Sequence, residues 1–320
     1  MPYGRQLSQA AMPLLALLLA AGALRAETTP ARPVTFTSEV AVVNIHATVT
    51  KDDPAAGDAL SAGDFRVREG DELQEVAFFA HEGVPVTYTL LVDVSSSMRK
   101  RARLVFEALE GFIATMRPGD RASIVLFGTT AQVLQEETGD RETLLAATDR
   151  IPEDFKEGTA LYEVLYVHFR EVEARGCSAD GRPRRCALVV FSDGKDEASR
   201  RSFRAEVLDA ARRSDLAVYP VAMTRHDGFL ERLARETGGR VSYVDHGGEL
   251  ADAYRAISAE VASQYTIGYV PRAWPAPGSW RPVRVTVARK GVAVRHRAGY
   301  FTPERSAPAD SGTTGPHAGP

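Results

Sequence analysis

Between Pro85 and Gln264 short apolar runs alternate with stretches of helical period, and this alternation narrows the fold more than any other feature. "VPVTYTLLVDV", "RASIVLF", "CALVVFSDG" and "DLAVYPVAM" are too uniformly apolar to leave one face in water, so they read as buried strands, with "AQVLQEE" at an edge and "RVSYV" a further short strand. "MRKRARLVFEALEGFIATM" puts Met98, Ala102, Val105, Leu109, Phe112, Ile113 and Met116 on one side of a helix. "RETLLAATDRI", "ALYEVLYVHFREVEAR", "SFRAEVLDAARRS", "FLERLARETGG" and "ELADAYRAISAEVASQ" read as further helices. Strands alternating with helices predict an α/β domain, a doubly wound and mainly parallel sheet covered on both faces.

On either side the rhythm changes to β. "VTFTSEVAVVNIHATVT", "DFRVREG" and "LQEVAFFA" precede the α/β stretch, and "YTIGYVP", "RPVRVTVAR" and "VAVRHRAGYF" follow it. Neither flank is large enough for a core of its own. The expectation is that residues 27–84 and 265–302 pair into one smaller β-rich domain, with the α/β domain, residues 85–264, inserted between them.

The ends read differently. A lone Arg5, an apolar run from Ala10 to Leu24 and a small residue at Ala26 have the layout of a secretory signal peptide over residues 1–26. Export to the periplasm or the extracellular space follows as an expectation, with no integral membrane span left after cleavage; retention as an N-terminal anchor is the alternative. Residues 303–320, rich in Pro, Ala, Ser, Gly and Thr, read as a disordered tail. The two cysteines, Cys177 and Cys186, bracket a polar loop and in an oxidising compartment are expected to form a local disulfide. A formal charge of −3 gives no basic surface to argue for nucleic acid.

In an open α/β sheet ligands bind beyond the carboxyl ends of the strands. "LLVDVSSSM" places Asp93 at such an end, followed by Ser95 and Ser97; "VVFSDGKDE" places Asp193 at another; "EGTALYE" places Thr159 just before a helix. Asp93, Ser95, Ser97, Thr159 and Asp193 can converge from three loops, and all five offer oxygen. An oxygen-only set suits a hard cation, Mg²⁺ above all. Asp196 reads as a solvated loop acid beside this set, with a weak claim to its outer layer.

The three elements in this order, Asp-x-Ser-x-Ser, Gly-Thr and Ser-Asp-Gly, resemble those of a von Willebrand factor A domain over about residues 85–264. The resemblance implies a metal-ion-dependent adhesion site in which Ser95, Ser97 and Thr159 ligate through hydroxyls and Asp93 and Asp193 ligate directly or through water. It implies Mg²⁺ or Mn²⁺ as the ion and a protein partner offering an Asp or Glu to it. The flanks, with "DFRVREGDELQEVAFF" before and "SQYTIGYVP" after, are also similar to secreted bacterial proteins of that family.

Enzymatic readings find less support. A phosphatase of the haloacid dehalogenase kind would need an acid two residues after Asp93, where Ser95 stands. There is no GxxxxGK[ST] phosphate loop and no HExxH; the nearest string to a GxSxG elbow, "GCSADG", has Asp180 in place of the last glycine. His168, within a helix, reads as a packed or surface side chain. The expected function is therefore a metal-dependent binding module with no catalytic residues. The alternatives are an envelope scaffolding protein with a structural ion and, more remotely, a metal hydrolase.

Overall fold

The computed structural model describes residues 42–51, 60–81, 84–152, 155–176, 184–201, 203–224, 228–244, 247–272 and 276–302. The expected signal segment, Cys177 and the expected tail lie outside them. In chain order the elements are β1 (Val43–Lys51), β2 (Phe65–Glu69), β3 (Glu72–Gln74), β4 (Val76–His81), β5 (Val86–Asp93), α1 (Ala102–Thr115), β6 (Arg121–Phe127), β7 (Ala131–Thr138), α2 (Arg141–Thr148), α3 (Leu161–Arg175), β8 (Arg185–Ser192), α4 (Arg204–Arg213), β9 (Ala217–Ala222), α5 (Phe229–Thr237), β10 (Ser242–Tyr243), α6 (Gly247–Ala262), β11 (Tyr265–Tyr269), β12 (Trp280–Val287), β13 (Val292–His296) and β14 (Gly299–Phe301). Among the described residues no helix is long and apolar enough to cross a membrane.

Six strands form the central sheet in the order β10-β9-β8-β5-β6-β7. All neighbours are parallel except β7, which returns antiparallel along β6 at the edge. The chain winds outward in one direction through β5, β6 and β7, and in the other through β8, β9 and β10. The switch in winding falls between β5 and β8, where an open α/β sheet leaves a crevice. Alternate residues of β5 serve opposite faces. Tyr88, Leu90 and Val92 pack with Val105, Leu109 and Phe112 of α1 and Tyr254, Ile257 and Val261 of α6. Leu91 packs on the other side with Leu165 and Phe169 of α3, Val207 of α4 and Leu233 of α5. Both faces are thus covered, which is why these strands are apolar throughout.

The flanking strands form two four-stranded sheets, β13-β1-β11-β4 and β14-β12-β2-β3. Strands from before and after the α/β unit share each of them: β11 lies between β1 and β4, and β12 pairs with β2. Their inner faces close one core around Ile45, Ala47, Phe65, Val67, Ile267, Tyr269, Val283 and Val285. Two runs that read as single strands are divided between the sheets. "LQEVAFFA" breaks after Gln74, so that β3 pairs with β2 and β4 with β11. "VAVRHRAGYF" breaks after His296, with β13 on β1 and β14 on β12.

This β part sits against the carboxyl-terminal ends of the helices, away from the carboxyl ends of the strands. The Arg295 Nε donates to the Gly238 carbonyl at the end of α5 (3.1 Å). The Ala298 N–H donates to the Glu236 carbonyl (3.1 Å) and Arg297 pairs with Asp215 after α4 (2.8 Å). The Arg213 guanidinium lies 3.9 Å from the centre of the Phe301 ring. Cations here meet the negative ends of helix dipoles, so the contact is electrostatic as well as steric. Gly239 packs at the same end: a Cβ there would stand 1.8 Å from the Val218 carbonyl oxygen. Gly239→Ala is expected to lower stability by about 1–3 kcal/mol, the range for overpacking a filled site, read as a drop in the thermal midpoint. An unchanged midpoint would mean that the α5–β10 connection yields freely.

Candidate metal centre

Asp93 is the last residue of β5, fully buried, and its carboxylate is held from two sides. Oδ1 accepts the Ser95 N–H at 2.9 Å, and Oδ2 accepts the Ser192 hydroxyl at 2.7 Å. Ser192 ends β8, beside β5 in the sheet, and its Oγ also accepts the Gly194 N–H at 3.1 Å. The strand pairing at the switch point thus sets Asp93 next to the residue that precedes Asp193.

After Asp93 the chain turns. The Val94 N–H donates to the Phe127 carbonyl (2.8 Å), and the Ser96 N–H to the Lys156 carbonyl (2.8 Å). Residues Ser96–Arg101 form a 3₁₀ turn before α1, so the helix expected from Met98 onward begins four residues later, at Ala102. The bridge to Lys156 and the tight Met98-to-Ser95 hydrogen bond (3.0 Å) impose that geometry. Its result is that the Ser95 and Ser97 hydroxyl oxygens lie 3.1 Å apart.

Thr159 is 1% exposed and lies on a loop pinned from both sides. The following Ala160 N–H donates to the Gly128 carbonyl (2.8 Å), while the Thr159 carbonyl accepts the N–H groups of Glu197 and Ala198 (2.9 Å each) from the loop after Asp193. Gly158 has φ +88°, and a Cβ there would meet Thr129 Cγ2 at 2.8 Å; only glycine fits before this threonine. Asp193 itself is 2% exposed. Its Oδ1 accepts the Lys195 N–H (3.2 Å), its carbonyl accepts the Thr224 hydroxyl (2.8 Å), and the Lys195 ammonium stands 3.7 Å from Oδ2. Burial pushes the Asp93 carboxyl up to about 6, and the negative charge of Asp193 pushes in the same direction.

A second layer ties the three loops together, and of it the sequence offered only the weak claim of Asp196. Asp196 is not a solvated acid: its Oδ1 accepts the Tyr162 N–H (3.0 Å) and the Ser199 hydroxyl (2.6 Å), and so caps the first turn of α3. Glu163 answers from α3, its Oε1 accepting the N–H groups of Arg200 and Arg201 at 2.6 Å each. Asp154 lies outside the described residues, and Glu157 is exposed. His168 lies on α3 facing β6 and β7, and burial pushes its pKa down to about 4.

The donor set fits a small hard cation. Mg²⁺ holds oxygens at about 2.0–2.1 Å in an octahedron, so neighbouring ligands stand about 3 Å apart, which is the Ser95–Ser97 separation. Two buried carboxylates side by side also call for positive charge between them. Among the described residues no three of His, Cys, Asp and Glu are grouped to hold a metal ion, so a cation at this point would draw on hydroxyl oxygens as well.

Residues 88–195 match the family model of the von Willebrand factor type A domain, and the α/β unit has that Rossmann-like fold. A UPF0353 protein of Mycobacterium ulcerans is 31% identical over 115 residues, which span 33% of this chain and 34% of that protein. The match therefore covers about a third of the curated relative's length. Among solved structures, a von Willebrand factor type A protein from Catenulispora acidiphila is 14% identical with a TM-score of 0.48, over 75% of this chain and 74% of that one. The manganese-loaded Plasmodium vivax TRAP protein is 17% identical with a TM-score of 0.44, over 71% and 98%.

Proposed function

We propose that the chain is an exported, divalent-metal-dependent protein-binding module. Asp93, Ser95, Ser97, Thr159 and Asp193 hold Mg²⁺ or Mn²⁺, directly or through water, and the metal takes an Asp or Glu side chain from a partner protein. The observation that carries this reading is the pair of hydroxyls 3.1 Å apart beside the buried Asp93 carboxylate, at the switch point of the sheet. Such a set binds a cation with only two negative charges, so an acid from outside is still attracted to it. The β part lies at the far end and leaves this face open to a partner. In an exported chain a Cys177–Cys186 bridge would close the loop leading into β8, remote from Asp193 at that strand's other end.

The experiment is a calorimetric titration of the full chain with Mg²⁺ and Mn²⁺, followed by capture of partners from the source cell envelope in Mg²⁺ and in EDTA. One metal site is expected, with partner capture lost in EDTA while the circular dichroism of the fold is retained. Melting of the α/β unit on chelation would make the ion structural instead and overturn the recognition role.

A further inference from the structure

We propose that the face around the metal site fits a polyacidic protein segment, in which one carboxylate reaches the metal and its neighbours meet a rim of cations. The proposal rests on the metal-site reading above and adds the chemistry of the partner.

Each of the three loops that bring a ligand also brings a cation. The first carries Lys100, three residues after Ser97 in the same 3₁₀ turn. The second carries Lys156, whose carbonyl accepts the Ser96 N–H and which therefore borders the serines directly. The third carries Lys195, Arg200 and Arg201 after Asp193, with the two arginines fastened by their backbone N–H groups to Glu163 in the first turn of α3. Lys100, Lys156, Arg200 and Arg201 are exposed, and none makes an ion pair among the described residues. Among the described residues Glu157 and Glu197 are the exposed acids on these loops, while Glu163 and Asp196 turn their carboxylates onto backbone N–H groups, the Glu163 charge also facing Arg200 and Arg201. A bound divalent ion balances Asp93 and Asp193.

The opposite end of the domain treats its arginines differently. Arg212 pairs with Glu236, Arg240 and Arg295 with Glu260, and Arg297 with Asp215. Cations are thus consumed where the β part docks and left open around the metal. An acid approaching the metal gains from each of these charges before it makes contact, which speeds association and rejects basic partners. The backbone anchoring of Arg200, Arg201 and Lys156 holds the rim in place, and the Glu163 carboxylate lies close enough to feel the charges of Arg200 and Arg201 as well.

The test uses fluorescently labelled poly-L-glutamate and the full chain, in Mg²⁺ and in EDTA, at low and moderate salt. The variant K100E/K156E/R200E/R201E reverses the rim and touches no ligand; circular dichroism checks its fold and Mn²⁺ calorimetry its metal site. The native chain is expected to bind more tightly in Mg²⁺, with affinity falling as salt rises. The reversed variant is expected to keep Mn²⁺ and lose about tenfold or more in polyglutamate affinity. Equal polyglutamate binding by a reversed variant that keeps Mn²⁺ overturns the proposal. A native chain that takes no Mn²⁺ defeats the metal reading alone: salt-sensitive binding that the reversal removes still supports the rim, and no binding overturns it. Tighter, metal-independent binding of inorganic polyphosphate overturns the carboxylate assignment in favour of phosphate.

Discussion

Glu69→Ala is expected to lower the unfolding free energy by about 3–5 kcal/mol, the scale for removing one partner of a buried ion pair. Glu69 ends β2 and is 1% exposed. Its Oε1 accepts the Arg281 Nε of β12 at 2.6 Å, and its Oε2 accepts the hydroxyls of Tyr269 on β11 (2.8 Å) and Tyr300 on β14 (3.0 Å). One carboxylate therefore joins strands from both β sheets and from both sides of the α/β unit. Burial, and after it the Glu69 carboxylate, push both tyrosine hydroxyls well above their ordinary range, so they remain donors at any ordinary pH. Alanine leaves two hydroxyls and a guanidinium without their acceptor, each a separate desolvation loss. Glu69→Gln keeps an acceptor and should cost less. Urea unfolding followed by far-UV circular dichroism reads the difference as a lower midpoint at unchanged slope. A loss under about 1 kcal/mol would mean that water already fills the cluster. Metal binding, at the other end of the molecule, should be unaffected.

The parts of the fold that were legible in the sequence are those set by local period. β5 and β8 read as buried strands because both of their faces are covered, and α1 showed its buried stripe at Val105, Leu109, Phe112 and Ile113. Partner choice was not legible in the same way. Gln74 and Val76 sit in one alternating run, yet the first pairs with Val67 and the second with Tyr269 in a different sheet. Alternation tells which face a side chain takes, not which strand lies beside it. The same holds at the break between His296 and Gly299, where the strand changes sheets without losing its rhythm.

The proposed ligands Asp93, Ser95, Ser97, Thr159 and Asp193 stand out in the sequence because each lies in a short motif at a strand end or before a helix. Ser192 could not, since its bond to Asp93 exists only because β5 and β8 are neighbours, and strand order has no local signature. Asp196 misled for a related reason: an acid in a polar loop looks solvated until the loop is folded onto the first turn of α3. The 3₁₀ turn at Ser96–Arg101 was hidden within a continuous helical stripe, because the constraint on it comes from Lys156 in another loop.

Ser97→Asp is expected to separate metal binding from partner binding. A third carboxylate beside Asp93 and Asp193 strengthens the attraction for Mg²⁺ but cancels the positive charge that would remain on the bound ion. Ser97 is half-exposed, so the added acid stays hydrated when the site is empty and the fold is unharmed. The variant should therefore bind Mn²⁺ at least as tightly as the native chain, by calorimetry, while its Mg²⁺-dependent binding of polyglutamate disappears. Asp93→Ala should lose both, because Asp93 also fixes the Ser95 N–H and the Ser192 hydroxyl that shape the loops. Where a partner protein is in hand, removing its metal-binding acid should cost about 2–5 kcal/mol, the range for truncating one side of a desolvated charge pair. Neutral hydroxyls at Ser95 and Ser97 are then what leaves the ion able to take a ligand from outside. If Ser97→Asp binds polyglutamate in Mg²⁺ as well as the native chain does, residual charge on the ion is not the reason for serine at this position.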